Sequence, residues 1–107
     1  TVPVMVFDEV DAGIGGETGH LVGQKLHAAA KGRQVLCVTH LAQVAAQADH
    51  NFHVAKKATQ NATDVSITPL SGEGLIAEIA RMLGGNADKH SAAFSHAKEL
   101  LHDAKRI

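Results

Sequence analysis

The chain has 107 residues, 45% of them hydrophobic and only 3% aromatic, and its formal net charge is -1. This size suits one small domain with an aliphatic core, and the balanced charge excludes a strongly basic nucleic-acid-binding domain. No apolar run approaches the roughly 20 residues of a membrane span, and the N-terminus does not resemble a signal peptide. Because the chain begins directly in an apolar strand, we expect a fragment of a longer protein. The single Cys37 cannot form an internal disulfide and is interpreted as a small buried hydrophobe.

The first elements predicted along the chain are a strand, a helix and a strand. Residues 2–7 form an almost uninterrupted apolar run, which predicts a strand buried on both faces of a parallel sheet. Residues 17–31 predict an amphipathic helix that stops at Gly32, and residues 34–38 predict a second apolar strand. This order favours a right-handed parallel crossover. The apolar stripe of the helix is predicted to comprise Leu21, Val22, Leu26, Ala29 and Ala30.

A short helix and a hairpin are predicted next. Residues 41–48 predict the short helix, and residues 51–57 and 64–70 alternate like two strands joined by a polar stretch. Pro69 is expected to limit how far the second strand runs inside a sheet, because proline has no N–H to donate.

Two amphipathic helices are predicted to complete the chain. Residues 73–83 repeat apolar side chains at helical spacing and end at the glycine pair Gly84 and Gly85. Residues 89–105 predict the last helix. Its predicted apolar side comprises Ala93, Phe94, Ala97, Leu100, Leu101 and Ala104.

Two acidic residues, Asp8 and Glu9, follow the first apolar strand. The carboxyl ends of parallel strands form the edge at which open α/β sheets bind ligands. In nucleotide hydrolases, a first acid at such an edge helps to hold Mg²⁺ and a second can orient and deprotonate the attacking water. On its own the pair could equally cap the next helix or face solvent.

A histidine, His40, follows the second apolar strand after Thr39. Crossover geometry predicts that it approaches the same ligand as Glu9, where an imidazole could contact a terminal phosphate oxygen. A histidine at a strand end is more often structural. The acidic pair and the histidine in this order and at this spacing are much more specific than either signal alone.

These residues resemble motifs of ATP-binding-cassette ATPases. Residues 4–9, VMVFDE, look like their Walker B motif, and residues 38–40, VTH, look like their switch histidine. The continuation VDA after Glu9 is similar to chromosome-maintenance heads and departs from the transporter pattern. Three further segments resemble the RecN family in particular: DAGIGG at 11–16, THLAQVAA at 39–46 and EIARMLGG at 78–85.

The resemblance covers nearly the whole chain and implies an α/β fold. The expected architecture is the C-terminal portion of a P-loop ATPase head, with parallel strands, flanking helices, a terminal hairpin and two C-terminal helices. Residues 1–107 are then one partial domain.

The resemblance also implies a role for each matching residue. Asp8 is expected to help coordinate Mg²⁺, Glu9 to polarise the attacking water, and His40 to contact the γ-phosphate, with Thr39 beside it. The segment 11–16 is expected to face the opposing head across ATP. Its implied nucleotide-binding residues are Asp11, Ala12, Gly13, Gly15 and Gly16.

The sequence departs from the family pattern at two positions and lacks two motifs. Gly15 stands where the superfamily usually has an aspartate, so that side chain's contact across the dimer is missing. Ala42 stands where RecN-like proteins usually have proline. The chain has neither a G-x-x-x-x-G-K-[ST] phosphate loop nor the superfamily's signature segment, so we expect no hydrolysis by this chain alone.

The implied whole protein is an SMC-like ATPase that acts in DNA double-strand break repair and recombination after damage (the SOS response). Its implied partners are a second head, the upstream lobe of the same head, and DNA, with no membrane and a cytoplasmic, nucleoid-associated location. The alternative is a non-catalytic dimerisation or scaffold module that inherited its acids. A metal site at His50 and His53 and phosphate contacts by Lys56-Lys57 and Lys105-Arg106 are weaker interpretations. For His20 and His27, a solvated surface of the helix is the favoured interpretation.

Overall fold

A computed structural model describes residues 4–8, 16–85, 88 and 90–104. Its elements alternate in the mixed α/β manner that the sequence predicts. In chain order they are β1 (Val4–Asp8), α1 (Gly16–Ala29), β2 (Gln34–Val38), α2 (Ala42–Ala45), β3 (Asn51–Ala58), β4 (Thr63–Leu70), α3 (Gly72–Met82) and α4 (Ala92–Asp103).

Strands β1 and β2 pair in parallel, with Val4 opposite Gln34 and Asp8 opposite Val38. The predicted strand–helix–strand crossover is therefore present. The prediction of burial on both faces is wrong: the face that carries Val6 and Val38 exposes 67% and 59% of these residues. The opposite face is less exposed, and its Met5 and Cys37 are half-buried. Cys37 is accordingly not the fully buried residue that its apolar neighbours indicated.

Strands β3 and β4 form the predicted antiparallel hairpin. Strand β4 continues through Pro69, which lies opposite Phe52, so the proline does not shorten the strand. Proline is tolerated there because, within the described chain, β4 has no second neighbour to which it must donate. One face of the hairpin is apolar and exposed, formed by Phe52, Val54, Val65 and Ile67.

The buried core lies between α2, α3 and α4. Its largest fully buried side chains are Ile79 of α3 and Leu101 of α4, at 1% and 0% exposure. The helical spacing seen in the sequence accounts for both, since each belongs to the apolar stripe of its helix. The other buried members are Ala42, Ala45, Ala46, Leu75, Ile76, Ala80, Phe94 and Ala97.

The turn between α3 and α4 depends on its glycines. Gly84 has a φ of +85°, a left-handed conformation in which glycine lacks the strain of other residues. Gly85 packs directly under Ala93, and a Cβ added to Gly85 would overlap the Ala93 methyl group. Ser91 is the N-cap of α4, and its hydroxyl accepts a hydrogen bond from the Phe94 N–H at 3.1 Å.

Helix α1 turns most of its predicted stripe inward, since Val22, Leu26, Ala29 and Ala30 are half-buried, but the prediction is wrong for Leu21. Leu21 is 55% exposed, whereas the buried residues of the helix are Gly19 and Gly23. Both glycines face the segment that begins at Leu41 and continues through α2, which approaches the backbone of α1 closely. Across the described helices, none has the length and apolar character needed to cross a membrane.

Candidate functional site

The carboxyl ends of β1 and β2 lie side by side. Asp8, the last residue of β1, is in register with Val38, the last residue of β2. Neighbouring strands in a sheet are about 4.8 Å apart, so the residues that follow Val38 leave the sheet next to Asp8. The structure thus brings one predicted acid position and the Thr39–His40 segment to a common edge, as crossover geometry requires.

A tight turn fixes the segment after β2. The Leu41 N–H donates a 3.0 Å hydrogen bond to Thr39 Oγ1, and Thr39 is half-buried. Such a side chain-to-backbone bond spanning two residues replaces a backbone turn, and it reverses the chain into α2 immediately afterwards. His40 is the central residue of this turn and is exposed, which leaves its imidazole accessible to a ligand at the edge.

The remaining predicted site residues are Glu9, Asp11, Ala12, Gly13 and Gly15. They lie outside the described residues, so their assignments remain predictions from the sequence. Two other predicted site residues have defined positions in the fold: Asp8 is the last residue of β1, and Gly16 is the first residue of α1. The segment between Asp8 and Gly16 therefore joins the end of β1 to the start of α1.

Helix α1 is held against the segment that follows the histidine turn. The Gln47 amide Nε2 lies 3.5 Å from His20 Nδ1, and His27 Nε2 lies 3.1 Å from Asp49 Oδ1. The predicted surface position is confirmed for His27, which is exposed, whereas His20 is half-buried. Their spacing of seven placed them on one side of α1, but only the tertiary fold supplies Gln47 and Asp49 as their neighbours.

Other parts of the described structure offer less. A half-open cavity of about 340 Å³ lies between the hairpin and the start of α3, where His50, Phe52 and Leu75 line it. It contains none of the predicted site residues. Within the described ranges, no three His, Cys, Asp or Glu side chains are close enough together to hold a metal ion.

Open α/β sheets bind their ligands at the edge formed by the carboxyl ends of parallel strands, and Asp8 and the Thr39–His40 segment lie at such an edge. Comparison with known proteins is more specific. The chain is 50% identical to DNA repair protein RecN of Deinococcus radiodurans over 99 residues, which are 92% of the chain and 17% of that protein. It is 44% identical to DNA repair protein RecN of Treponema pallidum over 106 residues, or 98% of the chain and 18% of that protein.

DNA repair protein RecN of Bacillus subtilis is 41% identical over 106 residues, covering 99% of the chain and 18% of the relative. The chain therefore spans less than a fifth of the length of these curated relatives. No protein-family model matches it. The chain is a RecN-type segment, similar to these DNA repair proteins over almost all of its own length.

The departure at Ala42 is compatible with the fold. Leu41 has an extended backbone, with φ of -96° and ψ of 124°, which is the region that a residue before proline prefers. Ala42 is the first helical residue of α2, the position at which proline is best tolerated in a helix. Alanine and proline at position 42 are therefore both compatible with the backbone conformation of the turn that carries His40.

Proposed function

We propose that this segment forms part of the ATP-hydrolysing head of an SMC-like protein that acts in DNA double-strand break repair and recombination. The in-register parallel pairing of β1 and β2 is the observation that carries the proposal. It supports a shared edge for the acids that follow β1 and the imidazole that follows β2. The relatives, each named DNA repair protein RecN, support the biological setting.

The chemistry of the residues suits a Mg²⁺–nucleotide ligand. Carboxylate oxygen is the donor type that Mg²⁺ prefers, and Asp8 supplies it at the strand end. When bound, Mg²⁺ neutralises charge on the phosphates. Glu9 orients the attacking water and accepts its proton, while His40 donates a hydrogen bond to the outermost phosphate as negative charge develops there.

The segment from Asp11 to Gly16 serves the interface in this proposal. It contacts a second head across the nucleotide, and Thr39 holds the backbone beside the phosphate through its bond to the Leu41 N–H. The upstream lobe of the head supplies the phosphate loop and the signature motif that this sequence lacks. DNA is engaged by the whole protein.

The contribution of His40 can be tested in the full-length protein. His40→Ala is expected to reduce kcat for ATP hydrolysis by about a hundredfold, because one donor to the developing charge is removed. Steady-state ATPase assays measure this. His53→Ala is the matched control, since His53 lies exposed on β3 within the hairpin. Equal rates for His40→Ala and the wild type would favour the scaffold alternative, in which the inherited site residues perform no chemistry.

A second prediction concerns the 107-residue chain on its own. Without a phosphate-cradling loop, it is expected to bind Mg²⁺–ATP with a Kd weaker than about 1 mM, or less than about 4 kcal/mol of binding free energy. Isothermal titration calorimetry measures this affinity. Saturable binding in the micromolar range would show that residues of this chain suffice to hold the phosphates, contrary to the proposed division of the site.

A further inference from the structure

Two glycines form the buried face of α1 where it meets α2. A Cβ added at Gly19 would lie 3.0 Å from Leu41 Cδ1, and Leu41 directly follows His40. A Cβ added at Gly23 would lie 3.0 Å from the Gln43 carbonyl oxygen and 3.2 Å from Val44 Cα. These distances are shorter than ordinary van der Waals contact, so the two backbones approach as closely as they do because neither position has a side chain.

The two contacts differ in how easily they could relax. Opposite Gly19 lies the end of a leucine side chain, which can change rotamer. Opposite Gly23 lie backbone atoms of α2, together with Gln47 Cγ at 2.8 Å. A rotamer change of one side chain therefore cannot accommodate a methyl group at position 23, because the backbone of α2 also has to shift relative to α1.

Movement of α2 is transmitted to His40 by the chain itself. Helix α2 begins at Ala42, and the Leu41 N–H is bonded to Thr39 Oγ1, so only the turn separates α2 from the end of β2. Helix α1 in turn follows the segment that begins after Asp8. The contact at Gly23 thus joins the two elements that leave the same sheet edge, one after the acids and one after the histidine.

We propose that Gly23, with Gly19 beside it, is a positioning residue for His40. The close approach of α1 and α2 sets where the histidine turn lies relative to the acid-bearing end of β1. This inference rests on the proposed ATPase function and adds to it a requirement for glycine about seventeen residues before the histidine. The close contacts support it, because a methyl group at position 23 would force backbone atoms beside the histidine turn to shift, and catalysis is sensitive to small displacements at a reacting centre.

The test is steady-state ATP hydrolysis by the full-length protein carrying Gly23→Ala. We expect kcat per folded protein to fall by at least about tenfold, with KM for ATP changed by less than about threefold. Gly74→Ala is the matched control: Gly74 is also helical, in α3, and a Cβ there meets nothing within 4 Å. It is expected to hydrolyse ATP at the wild-type rate. Gly19→Ala is expected to have a smaller effect than Gly23→Ala, and it provides a milder variant if Gly23→Ala fails to fold.

A double-mutant cycle separates positioning from general destabilisation. In a His40→Ala background, adding Gly23→Ala is expected to lower kcat by less than about twofold, because the group that it positions is already absent. An equal fold-loss in both backgrounds, or an unchanged kcat in Gly23→Ala and Gly19→Ala, would overturn the inference. If the wild type hydrolyses no ATP, or His40→Ala alone has no effect, the proposed function fails instead, and the positioning role fails with it.

Discussion

Replacing Glu9 by Gln in the full-length protein is expected to lower kcat for ATP hydrolysis by at least about a hundredfold. Glutamine has nearly the shape of glutamate and still forms hydrogen bonds, but its amide cannot accept the proton that the attacking water releases. ATP-dependent association of two heads is expected to persist, because nucleotide binding does not require this proton transfer. Turnover is measured by phosphate release, and association by analytical ultracentrifugation with and without ATP.

Glu99→Gln is the matched control for that experiment, since Glu99 lies exposed on α4. It makes the same charge change outside the proposed site and is expected to leave turnover unaffected. Wild-type turnover in Glu9→Gln would reject Glu9 as the water-activating residue. Loss of head association together with turnover would show instead that the carboxylate is needed to assemble the nucleotide interface.

The largest effect on stability is expected from truncation in the core of α2, α3 and α4. Ile79→Ala should reduce the free energy of unfolding by about 3 kcal/mol, within the range for buried aliphatic residues truncated to alanine. Ile79 is only 1% exposed, so the removed carbon atoms leave a cavity between the helices. Such a loss is a substantial part of the roughly 5–15 kcal/mol by which small domains are stable.

Urea denaturation followed by far-UV circular dichroism measures this loss, because the chain has no Trp or Tyr for fluorescence. Ile67→Ala is the control of the same chemical type, at a hairpin residue that is 65% exposed. It is expected to change stability by less than about 0.5 kcal/mol. Similar losses for Ile79→Ala and Ile67→Ala would mean that the three-helix core does not dominate the stability of the chain.

The local elements were largely predictable from the residues. The spacing of Leu75, Ile76 and Ile79 predicts both α3 and its buried side, and the alternation around Val65 and Ile67 predicts β4. These predictions succeed because helix and strand periodicity depend on near neighbours in the chain. The order of apolar strands and the helix between them also predicted the parallel pairing of β1 and β2.

The site was predictable in part. The acid pair and the Thr39–His40 segment stood out because each follows an apolar strand, and the register of Asp8 with Val38 places their strand ends together. The importance of Gly19 and Gly23 was not predictable from hydrophobic periodicity. That pattern counts apolar side chains, whereas the contact with α2 is made where side chains are absent.

The sequence by itself determined the periodicity of the elements, the acids and histidine at two strand ends, and the similarity to RecN. Only the tertiary structure decided which apolar surfaces are covered. Val6 and Val38 belong to apolar runs yet remain exposed, and Leu21 is exposed while two glycines of the same helix are buried. The physical reason is that hydrophobicity is a property of a residue, but burial depends on which distant part of the molecule packs against it.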